Sequence, residues 1–132
     1  MRRAILVVSF ALLGSLVQVE SSQAQTPAAP SFVPVPDNAI LSSNVTGLGI
    51  YNSANQKVGE IKDVVIESGR LAGYVLSVGG FLGIGTRHVV VAPAGLIISY
   101  DPKAKGWRAK IDATKEQLKA APAFLYEDRW AR

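Results

Sequence analysis

Short apolar runs separated by polar turns occupy the chain between residues 45 and 111. β-Branched and aromatic residues are enriched in these runs, and Asn, Ser, Gly, Asp and Pro fill the intervals, as is typical of strands joined by tight turns. The predicted strands cover residues 45–51, 57–67, 70–78, 88–91, 96–100 and 107–111. Helical periodicity is lacking before residue 113, which argues against βαβ units and a parallel sheet. We therefore predict a mainly β fold of five or six strands, a small antiparallel barrel or sandwich.

Alternation within two of the predicted strands assigns side chains to the inner face of the barrel. The residues assigned to that face are Ala72, Tyr74, Leu76 and Val78 in one strand, and Trp107, Ala109 and Ile111 in the other. The second set predicts that the Trp107 ring is buried against the sheet. Between residues 67 and 70, Ser68-Gly69 is a two-residue connection of the kind that joins hairpins.

One short helix is predicted after the last strand. Thr114 and Gln117 have the spacing of a capping box, and Leu118 and Ala121 fall on one side before Pro122 ends the helix. Roughly two helical turns are not stable alone in water, so we expect this helix to dock on an end or an edge of the barrel. We expect aromatic and apolar residues of the tail to help: Phe124, Leu125, Tyr126 and Trp130.

The first 24 residues have the layout of an export signal. Arg2 and Arg3 precede a 14-residue apolar stretch at residues 4–17, and Ser22-Gln23-Ala24 places small residues at a cleavage site. An uncleaved membrane anchor is the alternative, but a spanning helix needs about 20 apolar residues. We therefore predict cleavage after Ala24, a periplasmic protein, and no membrane span after cleavage.

Proline dominates the next zone, residues 25–41, which contains four of the seven prolines and one charge, Asp37. Proline has no amide hydrogen and disfavours helix in the residue before it, so this zone favours extended conformations. We interpret it as a tether to a domain at residues 42–132. The alternative is a proline-rich ligand for a partner's groove.

Composition limits the chemistry that the domain can perform. The chain has no cysteine and one histidine, His88, which rules out thiolate zinc sites, cysteine nucleophiles and histidine-pair metal sites. Alternation places Glu60 and Asp63 on opposite faces of their strand, so no paired-carboxylate site is expected. Without residues 1–24 the chain has 12 basic and 9 acidic residues, a net charge of +3 that is too small to predict nucleic-acid binding. We predict no catalytic residues, no metal and no cofactor.

A glycine-rich segment with large apolar side chains stands out at residues 79–85 (GGFLGIG). A dinucleotide fingerprint would lead from a strand into a helix, whereas a predicted strand follows here, so the glycines indicate an irregular loop with positive φ angles. Phe81, Leu82 and Ile84 either tuck under the barrel or form an exposed apolar contact. We predict these three residues, with neighbouring Arg87, as the partner-binding residues.

Three segments resemble the PRC-barrel family, named for the photosynthetic reaction-centre H subunit. They are residues 44–51 (NVTGLGIY), 58–66 (VGEIKDVVI) and 76–85 (LSVGGFLGIG), and the helix at 113–118 followed by Ala121-Pro122 is similar to the tail of exported bacterial members. The resemblance covers about residues 43–126. It implies a six-strand barrel used as a binding or assembly module, with no catalytic residues to carry over.

The resemblance and the predicted export together favour a non-enzymatic periplasmic module that contacts a protein partner of unknown identity. Self-association into a homo-oligomer is one form that this contact can take. The alternative is a carrier of a small apolar or amphipathic ligand, suggested by the apolar loop and the C-terminal aromatic residues. A six-strand barrel is filled by its own side chains, which disfavours an internal ligand cavity.

Overall fold

The computed structural model describes Gly14, residues 25–79 and residues 85–132. The chain divides into two compact units, Met1–Pro34 and Val35–Arg132. Within the first unit, residues 25–34 form no helix or strand and are exposed. No helix in the described part of the chain is long and apolar enough to cross a membrane.

The second unit contains two α-helices, two 3-10 turns and six strands among its described residues. In chain order these are α1 (Ser42–Val45), β1 (Gly49–Tyr51), β2 (Lys57–Glu67), β3 (Arg70–Val78), β4 (Arg87–Val91), a 3-10 turn (Pro93–Gly95), β5 (Leu96–Asp101), β6 (Gly106–Ile111), α2 (Lys115–Ala120) and a second 3-10 turn (Asp128–Trp130). The mainly β character and the number of strands are as predicted. β2 and β3 have the predicted bounds, joined by a hairpin in which Ser68 and Gly69 both have positive φ, at 48° and 75°.

The prediction is wrong for the start of the domain. A strand was expected over residues 45–51, but α1 occupies Ser42–Val45 and β1 is limited to Gly49–Tyr51. Val45 is buried in the core from the helix, and Gly47, with a φ of +87°, reverses the chain before β1. Val45 therefore reaches the core from a helical turn, whereas the sequence pattern predicts a strand at this position.

The sheet is mixed and open, which corrects the prediction of a wholly antiparallel barrel. Its order is β4-β3-β2-β1-β6-β5, and the pair β1–β6 is parallel while the others are antiparallel. The turn Pro93–Gly95 leads from one edge strand, β4, to the other, β5, and both strands run in the same direction. β6 consequently runs parallel to β1, and among the described residues no ladder joins β4 to β5.

The core lies on the inner face of the curved sheet, beneath the two helices. Its residues are Val45, Ile50, Val58, Ile61, Tyr74, Leu76, Val78, Val89, Leu96, Ala109, Ile111 and Leu118. Tyr74, Leu76 and Val78 face inward as predicted, but Ala72 is exposed because β3 extends beyond the core toward its hairpin. Trp107 is only half-buried, at the start of β6, where its ring packs edge-on against Tyr100 at 5.4 Å between ring centroids.

Helix α2 docks on the barrel as predicted. The Thr114 hydroxyl accepts from the Gln117 amide at 3.1 Å, and the Gln117 side chain accepts from the Thr114 amide at 2.8 Å, which completes the capping box. Leu118 is buried in the core and Ala121 packs against it. These contacts provide the tertiary support that so short a helix requires.

Candidate functional site

The predicted contact loop is described only at its two ends. Gly79 and Gly85 both have positive φ, at 70° and 73°, as expected for a glycine-supported irregular loop. Phe81, Leu82 and Ile84 fall within residues 80–84, outside the described residues. Their contact role therefore remains a prediction.

Arg87, the fourth predicted partner-binding residue, is the first residue of β4 and is half-buried. Its guanidinium donates a hydrogen bond to the Ala121 carbonyl, at the end of α2. The bond ties the last turn of the helix to the edge strand next to the loop. Arg87 thus has a structural role within the domain, while its use in a partner contact stays a prediction.

Beside the loop ends lies an open groove of about 540 Å³ whose lining is mainly polar. Its lining residues are Lys57, Val58, Gly59, Glu60, Ser77, Gly79, Thr86 and Lys115. Lys57 and Glu60 form an ion pair at 2.7 Å across it, and the hydrogen bond to Glu60 raises the pKa of Lys57. The described surface beside the loop ends is therefore mainly polar.

The acidic residues of β2 correct a second expectation. Glu60 pairs with Ser77 and Asp63 with Val75, so both carboxylates lie on the outer face of the sheet, because a bulge at Lys62 shifts the register. Glu60 binds Lys57 and Asp63 binds the C-terminal tail, so each carboxylate has a partner of its own. Among the residues that the structure describes, no three His, Cys, Asp or Glu side chains come together as a metal site.

The C-terminal tail is fastened to the outer face through Asp63. This carboxylate accepts a hydrogen bond from the Tyr126 hydroxyl at 3.0 Å and pairs with the Arg132 guanidinium. The Tyr126 ring packs edge-on against His88 at 5.2 Å, and Arg132 lies over the same ring at 4.8 Å. We call Asp63, His88, Tyr126 and Arg132 the tail clasp.

The tail covers an edge and an apolar patch that the sheet alone would leave open. The Phe124 amide donates to the His88 carbonyl of edge strand β4 at 2.7 Å. Val75 faces outward between Asp63 and Val90, yet it is 2% exposed, because the tail crosses from β4 to β2 over β3. Covering an edge strand in this way reduces unwanted pairing with other chains.

The tail clasp should open at alkaline pH. Partial burial, then the hydrogen bond to Asp63, raises the pKa of Tyr126 above its ordinary value of 10.0. A raised pKa in the folded state means that the clasp contributes its full stability below about pH 10 and loses it as the pH rises through the folded-state pKa. Trp130 packs on Phe124 at 5.8 Å between centroids, so its fluorescence should report release of the tail.

Tyr126→Phe is the matched variant, since it keeps the ring and removes the proton. The fluorescence change assigned to the tail should disappear from the pH titration of this variant, and Tyr100→Phe, remote from the tail, should retain it. An unchanged titration in Tyr126→Phe would contradict the assignment.

Comparison with known proteins identifies the family. The model of the PRC-barrel domain matches residues 37–118, more than half of the chain. The chain therefore belongs to the PRC-barrel domain family. No curated protein matches the sequence.

Among solved structures, the chain is similar to a putative 16S ribosomal RNA processing protein, RimM, from Pseudomonas aeruginosa. The sequences are 17% identical and the TM-score is 0.40. The match covers 62% of this chain and 50% of that protein, so this chain spans only half of it. A likeness this distant says nothing about what the present protein binds.

Proposed function

We propose that this protein is an exported, periplasmic, non-enzymatic binding module that contacts a protein partner through the loop at residues 79–85. Membership of the PRC-barrel family, with a core filled by its own side chains, is the observation that carries the proposal. Ile50, Leu76, Val78 and Ala109 are fully buried at the centre of that core. The side chains of the described core residues occupy the interior, and the groove beside the loop ends is open to solvent.

The filled core gives less support to the alternative, a carrier of a small apolar or amphipathic ligand. A carrier normally encloses most of its ligand's surface. Here the apolar interior is occupied, and the groove beside the loop is open and mainly polar. Binding at an exposed surface fits these features better.

Site-specific photo-crosslinking in the periplasm tests the proposal. A benzophenone amino acid at position 82 should crosslink to a discrete partner, identified by mass spectrometry. The same group at Glu67, exposed at the end of β2 next to the β2–β3 hairpin, is the matched control and should give no such product. Equal crosslinking from both positions, or none from position 82, would contradict the loop as the contact.

The export step has its own test. Small residues at Ser22 and Ala24 follow the 14-residue apolar stretch, so the exported protein should begin at Gln25. N-terminal sequencing of the periplasmic fraction checks this. Replacing Ala24 by a bulky residue should block cleavage and leave the precursor in the membrane fraction. A wild-type protein that keeps Met1 in that fraction would show an uncleaved anchor.

A further inference from the structure

A shallow groove of about 520 Å³ lies on the outer face of β2, β1 and β6. We call it the Tyr51 groove, and the side chains and backbone that define it belong to Gly49, Tyr51, Lys57, Arg108 and Lys110. It shares Lys57 with the groove beside the loop ends and contains no residue of the tail clasp. Its residues come from three stretches of the chain.

The register of the strands explains why these side chains share a face. Ile50 pairs with Ala109, and both are fully buried on the inner side. Their neighbours Gly49, Tyr51, Arg108 and Lys110 must therefore point outward. Lys57 joins them because it pairs with Tyr51 across the β1–β2 ladder.

Gly49 forms the floor of the groove. A Cβ atom at this position would lie 3.2 Å from Lys57 Cε and 3.5 Å from Tyr51 Cε2. The Lys57 side chain and the Tyr51 ring therefore lie close over the Gly49 backbone, and the ring is itself 39% exposed. An aliphatic or backbone segment can pack on that ring.

The groove is lined by three cations and by no carboxylate. Lys57 and Arg108 have partners outside the lining, Glu60 at 2.7 Å and Asp101 at 3.2 Å, but these lysine and arginine side chains remain 49% and 59% exposed. Lys110 has no ion pair within the described part of the chain. Counted with these two carboxylates, the three cations leave a local charge of +1 (3 − 2), and Lys110 is the cation without an ion-pair partner among the described residues.

We infer that the Tyr51 groove binds an acidic peptide segment of a protein partner. Carboxylate side chains of the segment pair with Lys110 and Arg108, and its backbone and aliphatic carbons lie on Tyr51. Three cations on a chain of net charge +4 match a short acidic segment better than a polyanion such as nucleic acid, which needs a larger basic face. This inference rests on the proposed binding function and names a second contact for it.

A nuclear magnetic resonance titration of the mature, ¹⁵N-labelled protein tests the inference. The probe is a capped peptide that alternates Glu and Gly and has three glutamates, and the control peptide has Gln at each Glu position. The acidic peptide should shift the amide signals of Gly49, Tyr51, Arg108 and Lys110 and leave those of the β2–β3 hairpin unchanged. Its binding should weaken as salt increases, because exposed charges are screened.

Lys110→Glu and Lys62→Glu form a matched pair of variants. Each changes the net charge equally, and Lys62 is exposed at the bulge of β2, away from the groove. Lys110→Glu should lower the affinity for the acidic peptide by about five- to tenfold, the range expected for reversing one exposed charge. Lys62→Glu should change its affinity by less than about twofold. Tyr51→Ala should weaken binding without altering its salt dependence.

Three results would overturn the inference. In the first, the acidic peptide gives no localised shifts of the amide signals. In the second, Lys62→Glu lowers the affinity for the peptide as much as Lys110→Glu does, which would indicate general attraction to a basic protein. Alternatively, a short oligothymidylate or vesicles of anionic lipid could compete for the same amides more strongly than the peptide, which would assign the groove to another class of ligand. Crosslinking from position 82 is independent of all three, so its success or failure tests the proposed function separately.

Discussion

Leu76→Ala should lower the free energy of unfolding by about 2–5 kcal/mol, among the largest effects available to a single substitution in this domain. Leu76 is 0% exposed at the centre of β3, and its register partners, Ile61 and Val89, are each 1% exposed. The surrounding side chains are held by ladders on both sides and cannot easily collapse into the space left. Because domains of this size are stable by roughly 5–15 kcal/mol, the loss should be visible as a lower denaturant midpoint.

Trp107→Ala is the informative comparison. Sequence alternation predicted a buried ring, for which truncation typically costs about 3–5 kcal/mol. The ring is instead half-buried beside Tyr100, which is 51% exposed, so the cost should fall below that range and below the cost of Leu76→Ala. Far-ultraviolet circular dichroism measures both unfolding curves without relying on tryptophan fluorescence. A Trp107→Ala variant as unstable as Leu76→Ala would show that the ring supports the core.

Elements governed by local signals were the most predictable. The Ser68-Gly69 hairpin fixes where β2 ends and β3 begins, since both residues adopt the positive φ that this turn demands. The Thr114 capping box likewise fixes the start of α2. In both places, residues that are neighbours in the chain determine the conformation, so the element boundaries are predictable from the sequence.

Features set by distant partners were not predictable in the same way. Val45 fits a strand by composition, but burial against the core favours the helical turn of α1. The parallel pairing of β1 with β6 joins strands from opposite ends of the domain. The bulge at Lys62 brings Glu60 and Asp63 onto one face, and strict alternation along an unbroken strand cannot anticipate that shift.

The same reason explains which surfaces were missed. Tyr126 was expected to help dock the tail, but its partner Asp63 lies 63 positions earlier in the chain. The Tyr51 groove likewise combines Tyr51 and Lys110, which meet only through the parallel ladder. The aromatic residues of the tail predict that the tail packs on the domain, but the pairing of the strands determines which residues it contacts.

Leu82→Asp should abolish most of the association with the partner captured by crosslinking and leave the barrel nearly as stable. Burying each large apolar side chain of the loop contributes about 1.5–3 kcal/mol, so placing a charge in such a contact should weaken association by at least about tenfold. Ile66→Asp is the matched control, because Ile66 is 69% exposed near the end of β2 and the substitution adds the same charge there. The control should change neither association nor stability appreciably.

Measuring association and melting temperature on both variants separates the two roles left open for the loop. An apolar loop that meets a partner loses affinity when Leu82 becomes charged, and the folded domain keeps its melting temperature. An apolar loop that closes the barrel behaves in the opposite way: the melting temperature falls by several degrees, because about 1 kcal/mol shifts the midpoint of a domain of this size by roughly 4–8 °C. That second outcome would remove residues 81, 82 and 84 from the contact surface. The acidic-peptide titration of the Tyr51 groove would then be the remaining route to the partner.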